Sequence, residues 1–358
     1  MKKIVISGIN IVSDGMLSVY RDCLQEMLSH CHDIEVIALV HDVRLFQDIE
    51  DSRLTYRAFP TAKSSWLRRC YYEYIFFYRL SKELRPDVWF SMHDMTPNVE
   101  AGRQIVYCHN ASPFYRIQCK EVFSEWKFTL FTLFYRYLYR INLYRNQYII
   151  VQQDWMRREF HKLFGVSNVI AARPQATRNV FPDSPVQEGM LFYPVTVHTY
   201  KNIEVVCEAA KNLQDIPGLQ IVLTMDGTES RYASRLVQRY RNIVPLRFIG
   251  HQPREEIFRL YAVCEVLLFP SRLESWGMPL SEFMETGKPI LTADLPYAHE
   301  VVDGYKRAKF LDPLNPTAWT NSIRAFLEGN IEYDHTSPET IAEPYARNWK
   351  ELFSLLDF

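Results

Sequence analysis

The feature that most constrains this chain is a repeated alternation of short apolar runs with stretches of helical periodicity. In the first half, apolar runs predict buried strands at Ile4–Ile6, Ile34–Leu39, Asp87–Phe90 and Ile105–Tyr107. Helical periodicity fills the gaps between them, beginning with a predicted helix from about Leu17 to Ser29. Because parallel strands need crossover connections, this alternation favours a parallel sheet covered by helices on both faces.

Prolines interrupt the alternation at Arg173-Pro174-Gln175 and again at 181–185, and these segments predict a linker. The alternation then restarts. The expected strands are Leu191–Val195, Leu219–Thr224, Leu246–Ile249, Val266–Phe269 and Pro289–Thr292, and the expected helices are Ile203–Leu213, Tyr232–Tyr240, Glu255–Val263 and one that begins at Pro279. The favoured architecture is therefore α/β, with two Rossmann-like doubly wound domains that face a central cleft.

The expected domain bounds follow from the linker. We expect a first domain over residues 1–175, a second over 176–340, and a C-terminal segment, 341–358, whose helix Pro344–Leu356 crosses back to the first domain. A chain of 358 residues is long enough for a full core in each half without a disulfide or a structural metal.

Composition places the chain among cytosolic globular proteins. Its apolar fraction is 47% and its charged fraction 23%. The seven cysteines form no CxxC pair and no zinc-type cluster, which is typical of reduced thiols in a cytoplasmic protein. The apolar run after Lys3 is too short for a signal peptide, so we interpret it as the first strand.

The small net charge of −1 hides an asymmetry between the halves. Residues 1–180 hold 24 Lys and Arg against 18 Asp and Glu, a net of +6, and residues 181–358 hold 17 against 24, a net of −7. One interpretation is a partner that meets only the basic half, such as an anionic membrane surface or a phosphate-bearing acceptor. The alternative is a scatter of surface charge without a partner.

Two aromatic segments of the first half bear on a membrane. Residues 128–150 are long and apolar, but Arg136, Arg140 and Arg145 exclude a transmembrane span because each costs roughly 2.5–3.5 kcal/mol near the bilayer centre. Residues 66–85 mix Trp and Tyr with basic residues, as does a helix that lies at a membrane interface. Core helices whose arginines reach out to water are the alternative.

The strongest chemical signal is the 21-residue string 269–289, FPSRLESWGMPLSEFMETGKP. A strand that ends at Phe269 is followed by a loop, and Pro279 stands where a helix should begin. The amides of Gly277, Met278 and Leu280 are then expected to point toward an anion, each dipole contact contributing about 0.3–1 kcal/mol, and a diphosphate fits best. Glycine at 277 would permit the close approach of a ligand to the backbone.

Two carboxylates flank this turn. Glu282, about one turn into the helix, can accept both ribose hydroxyls of a nucleotide, at roughly 1.5–3 kcal/mol for each hydrogen bond to the charged group. Glu274, in the loop, can hold sugar hydroxyls and offset positive charge at the anomeric carbon. The alternative is a pair of solvated glutamates beside a buried helix.

This string resembles the signature of the glycosyltransferase 4 family of GT-B enzymes, in which two glutamates eight positions apart enclose Gly277-Met278-Pro279. The similarity covers most of the second domain and extends through Phe248-Ile249-Gly250, Leu260-Tyr261, Phe269-Pro270-Ser271, Gly287-Lys288-Pro289, Glu300-Val301-Val302 and Leu311-Asp312-Pro313. It implies that Gly250, Ser275, Trp276, Gly277, Met278, Pro279, Leu280 and Glu282 contact a nucleotide sugar. It also implies that Glu274 is catalytic. The YP…HxYKN stretch is similar to the branch of O-antigen and capsule assembly enzymes.

The resemblance assigns further residues by position. Gly15 matches the family's glycine turn near the diphosphate, although the usual double glycine is missing. His109 matches a histidine beside the donor sugar and is implied to be catalytic together with Glu274. Lys201 matches the cationic phosphate ligand. His93 and Asp94 are predicted to line the acceptor side. The family's diphosphate-binding Arg has no evident counterpart, and His198, Thr196 and Arg272 are candidates to replace it.

The family's chemistry completes the expectation. The resemblance implies a retaining transfer in which the acceptor hydroxyl arrives on the face that the diphosphate leaves, so that the protein supplies position and electrostatic support. No DxD triplet occurs, so we expect no metal and no cofactor. Expected partners are a nucleotide-sugar donor, a glycan or polyprenyl-diphosphate-linked acceptor and the inner face of an anionic plasma membrane, with no nucleic acid.

Three other functions are weighed against this one. A Rossmann dehydrogenase needs G-x-G-x-x-G after the first strand, and the sequence there, from Gly8 to Gly15, lacks it. A GT-B sugar-nucleotide epimerase is not expected to carry both glutamates. A catalytically weak or inactive glycan-binding scaffold is the non-enzyme alternative, and slow hydrolysis of a nucleotide sugar would distinguish it from an enzyme.

Overall fold

The computed structural model describes residues 1–12, 14–115, 117, 126–173, 181–335 and 340–358. Pro174 and Gln175 of the predicted linker, Ser13 of the predicted glycine turn and Cys119 lie outside these ranges. The chain forms two compact units, one of residues 1–175 with 341–358 and the other of residues 176–340.

The first unit is built on a parallel sheet. Its described strands are Lys2–Gly8 (β1), Ile34–Val40 (β2), Leu54–Ala58 (β3), Val88–Ser91 (β4), Arg103–Cys108 (β5), Tyr148–Val151 (β6), Val169–Ala172 (β7) and, from the end of the chain, Tyr345–Ala346 (β14). They lie in the order β14-β7-β6-β5-β4-β1-β2-β3, and every recorded pair is parallel.

Helices cover this sheet on both faces. They are Asp14–His30 (α1), Trp66–Tyr71 (α2), Phe77–Leu84 (α3), Trp126–Arg140 (α4), Asp154–Phe164 (α5) and Trp349–Leu355 (α12), and a π-helical turn at Tyr72–Phe76 joins α2 to α3. Alternate side chains of β1 enter different cores, because successive side chains of a strand point to opposite faces. Ile4 and Ile6 pack with α1 and α12, whereas Val5 packs with α3.

The second unit repeats this design in a sheet of six described strands. They are Met190–Tyr193 (β8), Gln220–Leu223 (β9), Leu246–Phe248 (β10), Val266–Phe269 (β11), Ile290–Ala293 (β12) and Ala308–Leu311 (β13), in the order β10-β9-β8-β11-β12-β13, with all recorded pairs parallel. The helices are Ile203–Lys211 (α6), Arg231–Tyr240 (α7), Arg254–Val263 (α8), Met278–Met284 (α9), Pro296–Val301 (α10) and Pro316–Leu327 (α11). The predicted α/β architecture with parallel sheets is confirmed.

The C-terminal segment differs from the prediction of one helix over Pro344–Leu356. The helix α12 begins only at Trp349, where the side chain of Asn348 accepts a hydrogen bond from the amide of Glu351 and caps it. The residues before it form β14, which adds a strand beside β7. Trp349, with Leu352, Phe353 and Leu356, packs into the core that β1 shares with α1.

No helix of the described residues is long and apolar enough to cross a membrane.

Candidate active site

The second sheet has a point at which its strand order reverses, between the neighbouring strands β8 and β11. From β8 the chain proceeds outward to β9 and β10, and from β11 it proceeds outward in the opposite direction. In open parallel sheets, ligands bind in the crevice beside the carboxyl ends of two such strands. Lys201 follows β8 and Glu274 follows β11, so the fold brings together two predicted site residues that are distant in sequence.

Lys201 and Glu274 form an ion pair at this crevice. The Lys201 Nζ lies 2.5 Å from the Glu274 Oε1, and both side chains are largely buried. A charge-assisted contact of this length in a partly desolvated place is stronger than a surface ion pair. A cation suited to phosphate therefore lies directly beside a carboxylate suited to hydroxyl groups.

Backbone contacts hold the two loops that carry this pair. The Arg272 amide donates to the Tyr200 carbonyl at 2.7 Å, and its guanidinium donates to the Thr199 carbonyl at 3.0 Å. The Asn202 side chain donates to the Pro270 carbonyl at 3.1 Å. The loop after β8 is therefore tied to the loop after β11 on both sides of Lys201. Arg272, a predicted substitute for the family's missing Arg, serves at least partly to join the loops.

His198 and Thr196, the other two candidates for that role, precede the same turn. The His198 ring stacks on the Tyr200 ring with centroids 5.0 Å apart. Both residues are exposed to solvent.

The turn at Gly277 has the backbone that its sequence predicts. Gly277 has φ 92° and ψ 56°, in the left-handed region, and precedes α9 with Pro279 in the first turn. Among the described residues, no partner accepts a hydrogen bond from the amides of Gly277 and Met278. The Leu280 amide differs from the prediction, because it donates to the Gly277 carbonyl at 2.9 Å. Two of the three predicted amide donors thus have no partner among the described residues.

Ser275 and Trp276 lead into this turn. Trp276 is buried, and its indole N–H donates to the Ser281 Oγ at 3.1 Å, which fastens the loop to the first turns of α9. Ser275 is half-buried. The indole therefore shapes the backbone before Gly277.

Glu282 is a buried carboxylate with two partners that the sequence did not reveal. The Arg254 Nη2 lies 3.0 Å from its Oε1, and the Tyr261 hydroxyl donates to its Oε2 at 3.4 Å. Burial raises the pKa of Glu282, and Arg254 opposes that rise. Both partners lie on α8, the helix before β11. Their distance from Glu282 in the sequence gives no indication that they contact α9.

Gly250 follows β10 and also requires glycine geometry. Its φ is 72°, and a Cβ built there would lie 3.0 Å from the Asp226 Oδ2. Glycine is therefore required at this position both by the backbone conformation and by the Asp226 carboxylate, which leaves no room for a side chain.

The first sheet reverses its order between β1 and β4, and the predicted residues of that unit follow the strands around this point. Gly15 lies inside the first turn of α1, which begins at Asp14, and not in a turn before that helix as predicted. His93 and Asp94 follow β4, and His109 follows β5. The His93 Nδ1 lies 2.7 Å from the Asn10 side-chain oxygen, which bridges the segments after the two strands.

Asp94 organises the ends of these strands. It has φ 74°, and its Oδ1 accepts hydrogen bonds from the amides of His109 at 2.6 Å and Asn110 at 2.9 Å and from the Tyr139 hydroxyl at 3.0 Å. The Oδ1 of Asp94, a residue predicted on the acceptor side, therefore fixes the backbone position of His109.

His109 is held as a buried ring with one open nitrogen. Its ring stacks on Tyr107 with centroids 4.5 Å apart, and no described residue accepts or donates a hydrogen bond at its Nε2. Burial lowers the pKa of His109, against the opposing effects of the Asp94 carboxylate and a hydrogen bond to the Met92 backbone. The imidazole is accordingly neutral near pH 7. A buried polar atom without a protein partner is a place where a ligand can bind.

A buried charged cluster beside His93 was not predicted. Glu73, on the π-helical turn, is fully buried, and its Oε1 lies 2.9 Å from the His93 Nε2. Arg69, on α2, is also buried and donates to the His93 carbonyl at 2.8 Å. One feature of the sequence could have indicated this cluster: Glu73 is a single carboxylate within the largely aromatic run Tyr71–Phe77. Such a residue is seldom buried unless it has a partner.

Glu73 and His93 lie at ion-pair distance and have no access to water. Removal of one should therefore destabilise the fold, because the other stays buried without its partner. We expect Glu73→Leu to lower the free energy of unfolding by about 3–5 kcal/mol, as for other broken buried pairs, and urea denaturation measures it. Glu83→Leu, an exposed carboxylate on α3, should change it by less than about 0.5 kcal/mol. The double variant Glu73→Leu with His93→Phe should recover part of the loss, and strict additivity of the two changes would contradict the pairing.

Within the described ranges, no group of three or more His, Cys, Asp or Glu side chains could hold a metal ion.

Comparison with known proteins finds a family model that matches the second unit. Residues 179–342 match the family described as glycosyl transferases group 1. The chain is 25% identical over 171 residues to the O-antigen chain mannosyltransferase B of Escherichia coli, which is 43% of this chain and 45% of that protein. It is 21% identical over 259 residues to the O-antigen chain mannosyltransferase RfbU of Salmonella typhimurium, which is 68% of this chain and 72% of that protein. The first alignment thus spans less than half of that relative's length.

Solved structures resemble nearly the whole chain. The apo form of the lipopolysaccharide outer core galactosyltransferase WaaB superposes with a TM-score of 0.61 at 15% identity, over 94% of this chain and 92% of that one. Anabaena Alr3699/HepE in complex with UDP-glucose superposes with a TM-score of 0.64 at 14% identity, over 92% of this chain and 90% of that one. These likenesses confirm the predicted GT-B fold.

Proposed function

We propose that this chain, which has the GT-B fold and a group 1 glycosyltransferase domain over residues 179–342, transfers a sugar from a nucleotide diphosphate to an acceptor with retention of configuration. The observation that carries the proposal is the Lys201–Glu274 pair at the point where the second sheet reverses its strand order. The match of this unit to glycosyl transferases and the binding of UDP-glucose by a protein of the same fold support it.

Lys201 and the Gly277 turn receive the diphosphate in this proposal. When the sugar–phosphate bond breaks, negative charge grows on the departing phosphate, and a fixed ammonium group and open backbone amides stabilise that charge. The contacts of Arg272 and Asn202 hold Lys201 in position before the donor arrives, so little reorganisation is needed during the reaction.

Glu274 holds the donor sugar. A carboxylate that already accepts from Lys201 has further lone pairs for sugar hydroxyls, and its charge offsets the positive charge at the anomeric carbon. The acceptor oxygen bonds to that carbon on the face from which the diphosphate leaves. No metal takes part in this proposal, because the cation at the phosphate is Lys201.

Glu282 and Gly250 bind the nucleoside. Glu282 accepts the ribose hydroxyls, with Arg254 and Tyr261 holding the carboxylate in place. The backbone around Gly250 receives the base. Ser275, Trp276, Met278, Pro279 and Leu280 shape the turn between the two carboxylates.

In the first unit, the open Nε2 of His109 contacts the donor sugar, and Gly15 lies near the diphosphate. His93 and Asp94 belong to the acceptor side. The acceptor is a glycan or a polyprenyl-diphosphate-linked oligosaccharide of cell-surface polysaccharide synthesis in the cytoplasm, a class suggested by the two O-antigen mannosyltransferase relatives.

The experiment that tests the function supplies UDP-, GDP-, dTDP- and ADP-sugars in turn and follows release of the nucleoside diphosphate by chromatography. We expect turnover of one base class, unaffected by EDTA, and retention of the anomeric configuration in the transferred or hydrolysed sugar by NMR. Absence of release with every donor would support a scaffold without activity, and a changed sugar still attached to its nucleotide would indicate an epimerase.

A further inference from the structure

The first unit exposes an apolar stripe on α2 and the π-helical turn. Leu67, Tyr71 and Ile75 are spaced by four residues, so they lie on one side of the helix, and all are exposed, Leu67 by 84%. The opposite side is already packed, since Phe77, Leu80 and Leu84 of the continuing α3 lie in the core. The stripe therefore contributes nothing to the core of this unit.

A second apolar stripe lies on α4 and just beyond it. Its exposed members are Leu130, Leu133, Phe134, Tyr137, Ile141 and Tyr144, the first five of which follow helical spacing. The other side of α4 is packed through the buried residues Tyr135, Leu138 and Tyr139. A surface helix normally turns its apolar side inward and its polar side to water, and α4 presents apolar residues on both.

The two stripes belong to one surface. The Trp66 ring, itself partly exposed, lies 6.2 Å from the Phe134 ring and 6.5 Å from the Phe131 ring, centroid to centroid. We name the exposed apolar residues of 66–75 and 130–144 the apolar surface. A contiguous exposed surface of this kind marks an interaction site, in contrast to single exposed apolar residues.

The exposed charges in the described parts of segments 61–82 and 126–145 are cationic. Lys63, Arg68, Arg79, Arg140 and Arg145 are exposed in the two segments. Residues 61–82 contain a single carboxylate, Glu73, which is buried against His93, and residues 126–145 contain none. Lys and Arg beside exposed Trp, Tyr and Leu suit the headgroup region of an anionic bilayer, where the apolar residues enter the acyl boundary.

We propose that the apolar surface docks the chain on an anionic lipid bilayer. The occupant is the bilayer and not a protein, because the surface combines exposed aromatic residues with the exposed cations of its two segments, and a phosphate-rich plane complements both. Docking by this surface does not depend on the transfer reaction proposed above, because the second unit takes no part in it.

The test measures cosedimentation of the full chain with vesicles in the absence of any sugar nucleotide. One set contains phosphatidylcholine alone, and the other also contains phosphatidylglycerol, whose negative headgroups attract basic residues. We expect strong preference for the anionic vesicles, which falls as salt shortens the Debye length from about 10 Å at 0.1 M. The variant Leu67→Glu with Tyr137→Glu should bind at least about tenfold more weakly, because two inserted apolar side chains are lost.

Matched controls separate this surface from general hydrophobicity. Val244 and Leu314 of the second unit are exposed by 64% and 61%, so Val244→Glu with Leu314→Glu makes the same chemical change elsewhere and should leave vesicle binding unchanged. Arg68→Gln with Arg140→Gln should reduce the preference for anionic vesicles. Circular dichroism should show wild-type folding in all three double variants.

Two outcomes would overturn the proposal. One is equal sedimentation of the wild-type chain and Leu67→Glu with Tyr137→Glu on anionic vesicles. The other is failure of the wild-type chain to bind vesicles together with concentration-dependent self-association that Leu67→Glu abolishes, which would assign the surface to a second copy. Release of a nucleoside diphosphate is measured separately, so failure of docking leaves the proposed function intact.

Discussion

Replacement of Glu274 by Gln is expected to lower kcat by about 10²–10³-fold, the effect of removing one preorganised charge from a transition state. The nucleotide dissociation constant should change by less than about threefold, because Lys201 stays available to the diphosphate when its partner is neutral. The reason lies in the site's geometry: Glu274 holds the Lys201 Nζ at 2.5 Å and retains lone pairs for the sugar.

The measurement is turnover at saturating donor together with calorimetric titration of the nucleoside diphosphate. Glu285→Gln, an exposed carboxylate just beyond α9, serves as the control and should match the wild type in both. A Glu274 variant that keeps its kcat but loses nucleotide affinity would contradict the assignment.

Glu282→Gln is expected to show the opposite profile. Loss of a charged acceptor for the ribose hydroxyls should weaken nucleotide binding by about 10- to 100-fold, the equivalent of roughly 1.5–3 kcal/mol, with kcat at saturation changed only severalfold. Glu282→Gln retains the shape of the side chain and its contact with Tyr261. Titration of both glutamate variants with the same nucleotide compares the roles directly, and identical profiles would contradict them.

The raised pKa of Glu282 also predicts how the Glu282→Gln substitution affects the stability of the fold. Its folded pKa is raised by burial, so the stability linked to its protonation is present below the unfolded value and lost as pH rises through the folded pKa. Burial of the charged side chain therefore costs folding free energy at neutral pH. The neutral amide of Glu282→Gln should therefore leave thermal stability unchanged or higher, and a change in nucleotide affinity is then not due to misfolding.

Much of the fold could be predicted because buried parallel strands appear as continuous apolar runs. The strand Val266–Phe269 has the bounds that its sequence predicts, and most other predicted elements lie within a few residues of the observed ones. Five observed strands, β3, β6, β7, β13 and β14, were not predicted. β3 is an edge strand with polar residues in its run, and β14 has two residues, whose strand character depends on pairing with β7.

The site could be predicted in part for a related reason. The Gly277 turn and its flanking glutamates form one local string, so their chemistry can be inferred from spacing. The partners of Glu282 and Glu73 could not, because Arg254 and His93 meet them through packing of distant segments. Local spacing also did not reveal that the Leu280 amide closes a tight turn onto Gly277.

The most direct test of the central claim, that Lys201 and the Gly277 turn bind the diphosphate of a nucleotide sugar, is a thermal-shift titration of wild type, Lys201→Met and Lys211→Met with UDP, GDP, dTDP and ADP. We predict saturable stabilisation of the wild type by one base class, retained in Lys211→Met, whose lysine is exposed on α6. Lys201→Met should need at least about tenfold more nucleotide, since it loses a charge-assisted contact. Equal stabilisation of Lys201→Met and the wild type, or no stabilisation by any nucleotide, would contradict the claim.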